Sequence, residues 1–92
     1  MIHIDRKTLA DGSIVIKVEG RLNRETIAPL TEMCERVLED GKAILLDIEG
    51  ITHTDESGGE YISSLKNRVK FTSASEFLRL KYQLKLDAGR NM

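Results

Sequence analysis

Residues 43 to 62 read AILLDIEGITHTDESGGEYI, and this stretch decides how the rest of the chain is arranged. Ala43, Ile44, Leu45, Leu46 and Ile48 form an apolar run broken only by Asp47. It is too short for a helix and rich enough in branched side chains to predict a central strand buried on both faces. Gly50 is expected to end that run. Thr54, Asp55 and Ser57 then cluster where a helix N-terminus needs side-chain oxygens for its unpaired backbone N–H groups. Tyr61, Ile62, Leu65 and Val69 follow at spacings of one, three and four, the signature of one helical face. The predicted unit is strand, loop and helix, with Ser57 in the first turn.

Working outward, Ile2 and Ile4, then Ile14, Ile16 and Val18, alternate with polar residues around Ala10-Asp11-Gly12-Ser13. This predicts a β-hairpin with one face in the core and a positive-φ residue in its turn. After Gly20 a helix is expected with the apolar stripe Ile27, Leu30, Met33, Cys34, Val37 and Leu38. Pro29 fits only the first turn of that helix, which makes Thr26 a better N-cap than Asn23. Asp40-Gly41 closes it. Strand, helix and strand then form a crossover of the usual right hand.

Two stretches resemble a known family, the STAS domains shared by sulphate transporters and bacterial anti-sigma-factor antagonists. In LLDIEGITHTDESGGEYI the family pattern is an apolar strand followed by Asp-Ser-Ser-Gly-Leu opening a helix. In IVIKVEGRLN, Ile14 to Asn23, it is a strand running into Gly-Arg-Leu-Asp. The resemblance covers about the first three quarters of the chain. Three positions depart from it: Glu56 replaces the first serine, Gly59 replaces the leucine expected beneath the helix start, and Thr54 stands where an apolar residue is favoured.

The expected fold is an α/β domain with a mixed sheet of about four strands, opened by a hairpin and covered by two amphipathic helices, although the resemblance would add a closing helix after the fourth strand. It would span residues 1–87, with 88–92 as a frayed tail. The remaining residues look too few for both a fourth strand and a closing helix. Leu78, Leu80, Tyr82, Leu84 and Leu86 alternate with polar neighbours, which predicts the fourth strand over 78–86. The rival reading makes 75–86 a helix with Phe77, Leu80 and Leu84 on one side, and 69–73 a curtailed strand. If the apolar face of 78–86 is left uncovered, homodimerisation is the natural remedy.

The chain has 92 residues, 40% of them hydrophobic and 32% charged, enough for one small core. It holds no apolar run long enough to span a membrane and no signal-peptide pattern, so a cytoplasmic protein is expected. With Cys34, His3 and His53 as its only cysteine and histidines, neither a disulfide framework nor a metal site is indicated. Cys34 lies on the apolar stripe and reads as core. Residues 1–65 hold 13 acidic against 7 basic side chains and residues 66–92 hold 2 against 7, giving −6 and +5. The basic residues are scattered among leucines with few aromatics to stack bases, so nucleic-acid binding is not expected.

By the resemblance, Ser57 aligns with the serine that in many such antagonists accepts a phosphoryl group from a partner kinase. A hydroxyl at a helix N-terminus sits where backbone N–H groups and the helix dipole tolerate an anion. The implied function is partner switching: the protein binds an anti-sigma factor or a serine protein kinase and is released on phosphorylation at Ser57. Asn23, Thr54, Asp55, Glu56, Gly58 and Gly59 would shape the docking loop, with Asp55 fixing the turn through nearby N–H groups. No cofactor and no enzymatic activity are implied. His53 lies four residues before Ser57, but no nucleophile elbow surrounds the serine, and no lysine follows Gly58-Gly59 at Walker spacing. Two alternatives stay open: a STAS accessory subunit of a transporter or signalling complex that is never phosphorylated, and a small nucleotide-binding protein.

Overall fold

The computed structural model describes residues 1–86. The expectation of a frayed tail at 88–92 lies outside them. The order of elements is β1 (Ile2–Thr8), β2 (Ile14–Leu22), α1 (Ile27–Glu39), β3 (Ile44–Thr54), α2 (Glu56–Leu65), β4 (Lys70–Ala74) and α3 (Glu76–Tyr82). The strands form one sheet in the order β1-β2-β3-β4, with β1 antiparallel to β2 and the other two pairings parallel. The class is therefore the expected one, a mixed four-stranded α/β domain opened by a hairpin. The turn is made at Gly12, whose φ of 92° suits glycine, with the Asp11 carboxylate accepting from Ser13 N–H at 2.9 Å.

Consecutive parallel strands that are also neighbours put both right-handed crossover helices on the same side of the sheet. The burial pattern agrees. Ile14, Ile16 and Val18 of β2 and Ile44, Leu46 and Ile48 of β3 are buried, whereas Lys17, Glu19 and Glu49 between them are exposed. The helices contribute Leu30, Cys34 and Val37 from α1 and Ile62 and Leu65 from α2 to the same core. Cys34 is fully buried, and desolvation pushes its thiol up to about 11, which suits packing rather than reactivity. Its neighbour Glu35 receives both guanidinium nitrogens of Arg68, at 2.7 and 3.0 Å, and the Tyr61 hydroxyl at 3.1 Å. These bonds join α1 to Tyr61 of α2 and to Arg68 just past its end.

Three expectations are corrected. The central strand is buried on one face only, since Leu45 and Asp47 are half-buried and Glu49 exposed on the side away from the helices. Gly50 does not end the central strand, because β3 continues to Thr54 through two register shifts against β2. Each shift sets an extra β3 residue against β2, so the buried positions after Ile48 come at Ile51 and Thr54, three apart instead of two. The pattern of period two is broken by bulges, which hides the rest of the strand from a periodicity argument.

The third correction concerns the C-terminal part. The alternation over 78–86 does not make a strand. The fourth strand is Lys70–Ala74 and the segment after it is the helix α3, so three helices cover the sheet and not two. Both fit because each is short, 5 and 7 residues. Leu78 is fully buried, and Leu84, past the helix end, is also in the core. Gln83 adopts the left-handed conformation at φ 55°, turning the chain so that Leu86 pairs with Phe71. The uncovered strand face that would have called for a second copy is thus absent.

Candidate functional site

The loops after β2 and β3 emerge at the same end of the sheet, where Leu22 pairs with Thr54. The β2–α1 loop orders itself. Asn23 Oδ1 accepts from Glu25 N–H and Thr26 N–H at 2.9 and 3.0 Å, and the Thr26 hydroxyl donates to the Arg21 carbonyl at 2.7 Å. Thr26 is the N-cap residue of α1, but its side chain serves this loop instead of capping the helix.

The start of α2 is built differently. Asp55 is its N-cap: one carboxylate oxygen accepts from Gly58 N–H at 2.9 Å and the other from Arg24 N–H across the loop at 3.0 Å. These bonds hold the Asp55 carboxyl below its ordinary 3.8, the Gly58 bond contributing most. Gly58 is buried against the end of β2. A Cβ there would lie 3.1 Å from the Leu22 carbonyl carbon and closer still to its oxygen, so only glycine allows this approach.

Cap duty falls to Asp55, and the Ser57 hydroxyl is left unused. Ser57 is the second residue of α2, half-buried, and among the described residues no hydrogen bond engages its side chain. It is neither interior nor unwound. Glu56 beside it is exposed.

The three departures from the family pattern are partly one feature. Gly59 is buried, and the space a Cβ would take is filled by the Tyr82 ring of α3, whose nearest ring carbons would be 2.7 and 2.9 Å away. The Tyr82 hydroxyl pairs with Thr54 Oγ1 at 3.3 Å. An aromatic side chain from α3 thus stands in the place expected for a leucine at 59, and a polar residue at 54 satisfies its hydroxyl. Thr54, Gly58 and Gly59 therefore lie beneath the loop, while Asn23, Asp55, Glu56 and Ser57 reach its surface.

Tyr82 could not be found from the loop sequence. The helical reading of 75–86 set Phe77, Leu80 and Leu84 on one side, whereas the helix buries Leu78 and leaves Phe77 and Leu80 exposed, so that Tyr82, one turn after Leu78, faces inward. Between α2 and α3 lies a groove of about 550 Å³ lined by Asp55, Glu56, Glu60 and Ser63 on one side and Lys81 and Tyr82 on the other. His53 is exposed on the far side of Asp55 in a smaller hollow with Arg21 and Arg24, and no hydrogen bond among the described residues joins it to Ser57. Among the described residues no helix is long and apolar enough to cross a membrane.

No protein-family profile matches the sequence, and no curated protein matches it either. Solved structures do. The anti-sigma factor antagonist SpoIIAA in its unphosphorylated form superposes with a TM-score of 0.71 at 15% identity, over 91% of this chain and 84% of that one. An uncharacterized protein of the DUF3478 family with a SpoIIAA-like fold, from Shewanella loihica, gives a TM-score of 0.56 at 19% identity, over 87% and 72%. The chain has a STAS-like fold of the SpoIIAA type.

Proposed function

We propose that this protein is a partner-switching regulator of the anti-sigma-factor antagonist kind, docking through the start of α2 and switched by phosphorylation of Ser57. The observation that carries the reading is a hydroxyl in the first turn of α2, unengaged by the protein, on a mount held by Asp55 and Gly58. A serine kinase would transfer the γ-phosphoryl of ATP to Ser57 Oγ. ADP leaves, and the hydroxyl proton passes to the kinase's base.

The product would carry about −1.5 to −2 charges where the N–H groups of the first turn favour an anion, so α2 would stay folded. Docking would suffer instead, because a dianion beside Asp55 and Glu56 must lose its water to be covered by a partner. In this reading the protein is not itself an enzyme, needs no cofactor and acts on transcription in the cytoplasm through an anti-sigma factor or a serine protein kinase.

A constitutive accessory subunit is the second reading, and Glu56 favours it, since the loop is already negative without modification. Incubation with a serine protein kinase that binds the chain, and ATP, followed by mass mapping, separates the two. Phosphate on Ser57 that weakens partner binding supports the switch. Tight binding with Ser57 unmodified supports the constitutive subunit. A nucleotide-binding role is disfavoured by the three carboxylates lining the groove, which repel phosphates.

A further inference from the structure

The core leaves two large side chains of α3 outside. Phe77 is 48% and Leu80 68% exposed, although Leu78 between them is fully buried. They sit three apart, hence as neighbours on the outer side of the helix. Phe77 also lies one turn before Lys81, which lines the groove against α2. The Tyr82–Gly59–Thr54 contact holds α3 against α2, so the outer face of α3 and the first turns of α2 make one surface.

Its charge is one-sided. Asp55, Glu56 and Glu60 line the groove with Lys81 as the opposing cation, and Lys81 Nζ lies 5.6 Å from the centre of the Tyr82 ring. Among the described residues neither Glu56 nor Glu60 forms an ion pair. The α3 rim of the groove is Lys81 and Tyr82, with exposed Phe77 and Leu80 on the outer face beyond it; those apolar side chains and the unneutralised carboxylates across the groove are complementary to a segment that is apolar on one face and basic beside it.

We propose that the docking surface extends from the start of α2 across this groove to α3, and that its occupant is an amphipathic helix of a partner protein. That helix seats its apolar face on Phe77 and Leu80 and sets Lys or Arg side chains against Glu56 and Glu60. The inference rests on reading the start of α2 as the docking site and adds the chemistry of what docks.

The test uses a synthetic helical peptide of about five turns, with leucines at i, i+3, i+4 and i+7 flanked by lysines, titrated into the full chain with amide-shift mapping. The expected result is saturable binding with shifts at Phe77, Leu80, Glu56 and Glu60. Binding should weaken about tenfold in Phe77→Ser/Leu80→Ser and by a similar factor in Glu56→Gln/Glu60→Gln, the latter loss shrinking at high salt. Both double variants alter exposed residues, and an unchanged melting temperature verifies their fold.

Equal binding of a glutamate-flanked peptide, shifts elsewhere, or unchanged affinity in Phe77→Ser/Leu80→Ser would overturn the proposal. So would self-association abolished by Phe77→Ser/Leu80→Ser, which assigns the face to a second copy. A Ser57→Glu variant that binds the lysine peptide as tightly as the wild type or more tightly, as a carboxylate added beside Glu56 favours, leaves the surface standing and removes the switch. Loss of peptide binding in Ser57→Glu and in Phe77→Ser/Leu80→Ser alike supports both.

Discussion

The two crossover helices begin side by side at one end of the sheet, yet their first turns are anchored in different ways. At α1 the loop closes on itself through Asn23 and Thr26, and the first turn contains Pro29 and no acid. At α2 the anchor reaches outward: Asp55 ties Gly58 to Arg24, Gly58 presses on Leu22, and Gly59 makes room for a ring from α3. The start of α1 closes mainly on its own loop and meets its neighbour through Arg24 N–H, which Asp55 accepts. A start anchored from three directions holds its own side chains in fixed positions, which is what presenting a hydroxyl to another protein requires.

The contrast can be broken most severely at Gly58. Gly58→Ala should lower unfolding free energy by roughly 2 kcal/mol, because the clash with the Leu22 carbonyl exceeds the roughly 1 kcal/mol that alanine gains in a helix. Urea denaturation measures it, and a stabilised variant would show that the approach is loose. Gly59→Ala should cost about 1 kcal/mol in the wild type and turn stabilising in a Tyr82→Ala background, where the ring is gone. The same sign in both backgrounds would separate α3 from α2.

Thr26→Ala should cost about 1 kcal/mol through its lost loop hydrogen bonds, without disturbing the amide resonances of α2. Spread of those changes past Asp55 into the body of α2 would show that the Arg24–Asp55 bond couples the two starts more tightly than this. Smaller still is the Thr54 and Tyr82 hydroxyl pair. Thr54→Val and Tyr82→Phe should each cost about 0.5–1 kcal/mol, and the double variant less than their sum, since neither hydroxyl is then left buried alone.

Titration distinguishes the two anchors as well. Asp55 is held below 3.8 in the folded chain, so its contribution is fully present above about pH 4 and is lost as pH falls through the lowered value. Asp55→Asn should flatten that part of the acid limb of the stability curve. Thr26, a neutral hydroxyl, should leave the limb unchanged in Thr26→Ala.

Much of this was legible in the chain. The hairpin, the crossover and the stripe Leu30, Cys34 and Val37 follow from periods of two and of about 3.6, and Asp55 from the chemistry of helix starts. Where the reading failed, the local pattern was ambiguous or interrupted. Two bulges carried β3 past Gly50, and Leu78 to Leu86 alternate in a way that suits a strand although the segment coils into a short helix with an αL stop at Gln83. Tyr82 belongs to the site only because α3 folds back on α2, a contact between residues 23 apart in sequence.

By itself the sequence determined the α/β class, the order of its first elements and the position of Ser57 at a helix start, because these depend on neighbours within a turn or two. The tertiary structure alone decided that Gly58 and Gly59 are points of close approach, that Thr54 and Tyr82 form a pair, and that Phe77 and Leu80 remain outside. Those facts depend on which surfaces meet when the sheet closes on its helices, and no stretch of chain encodes that separately.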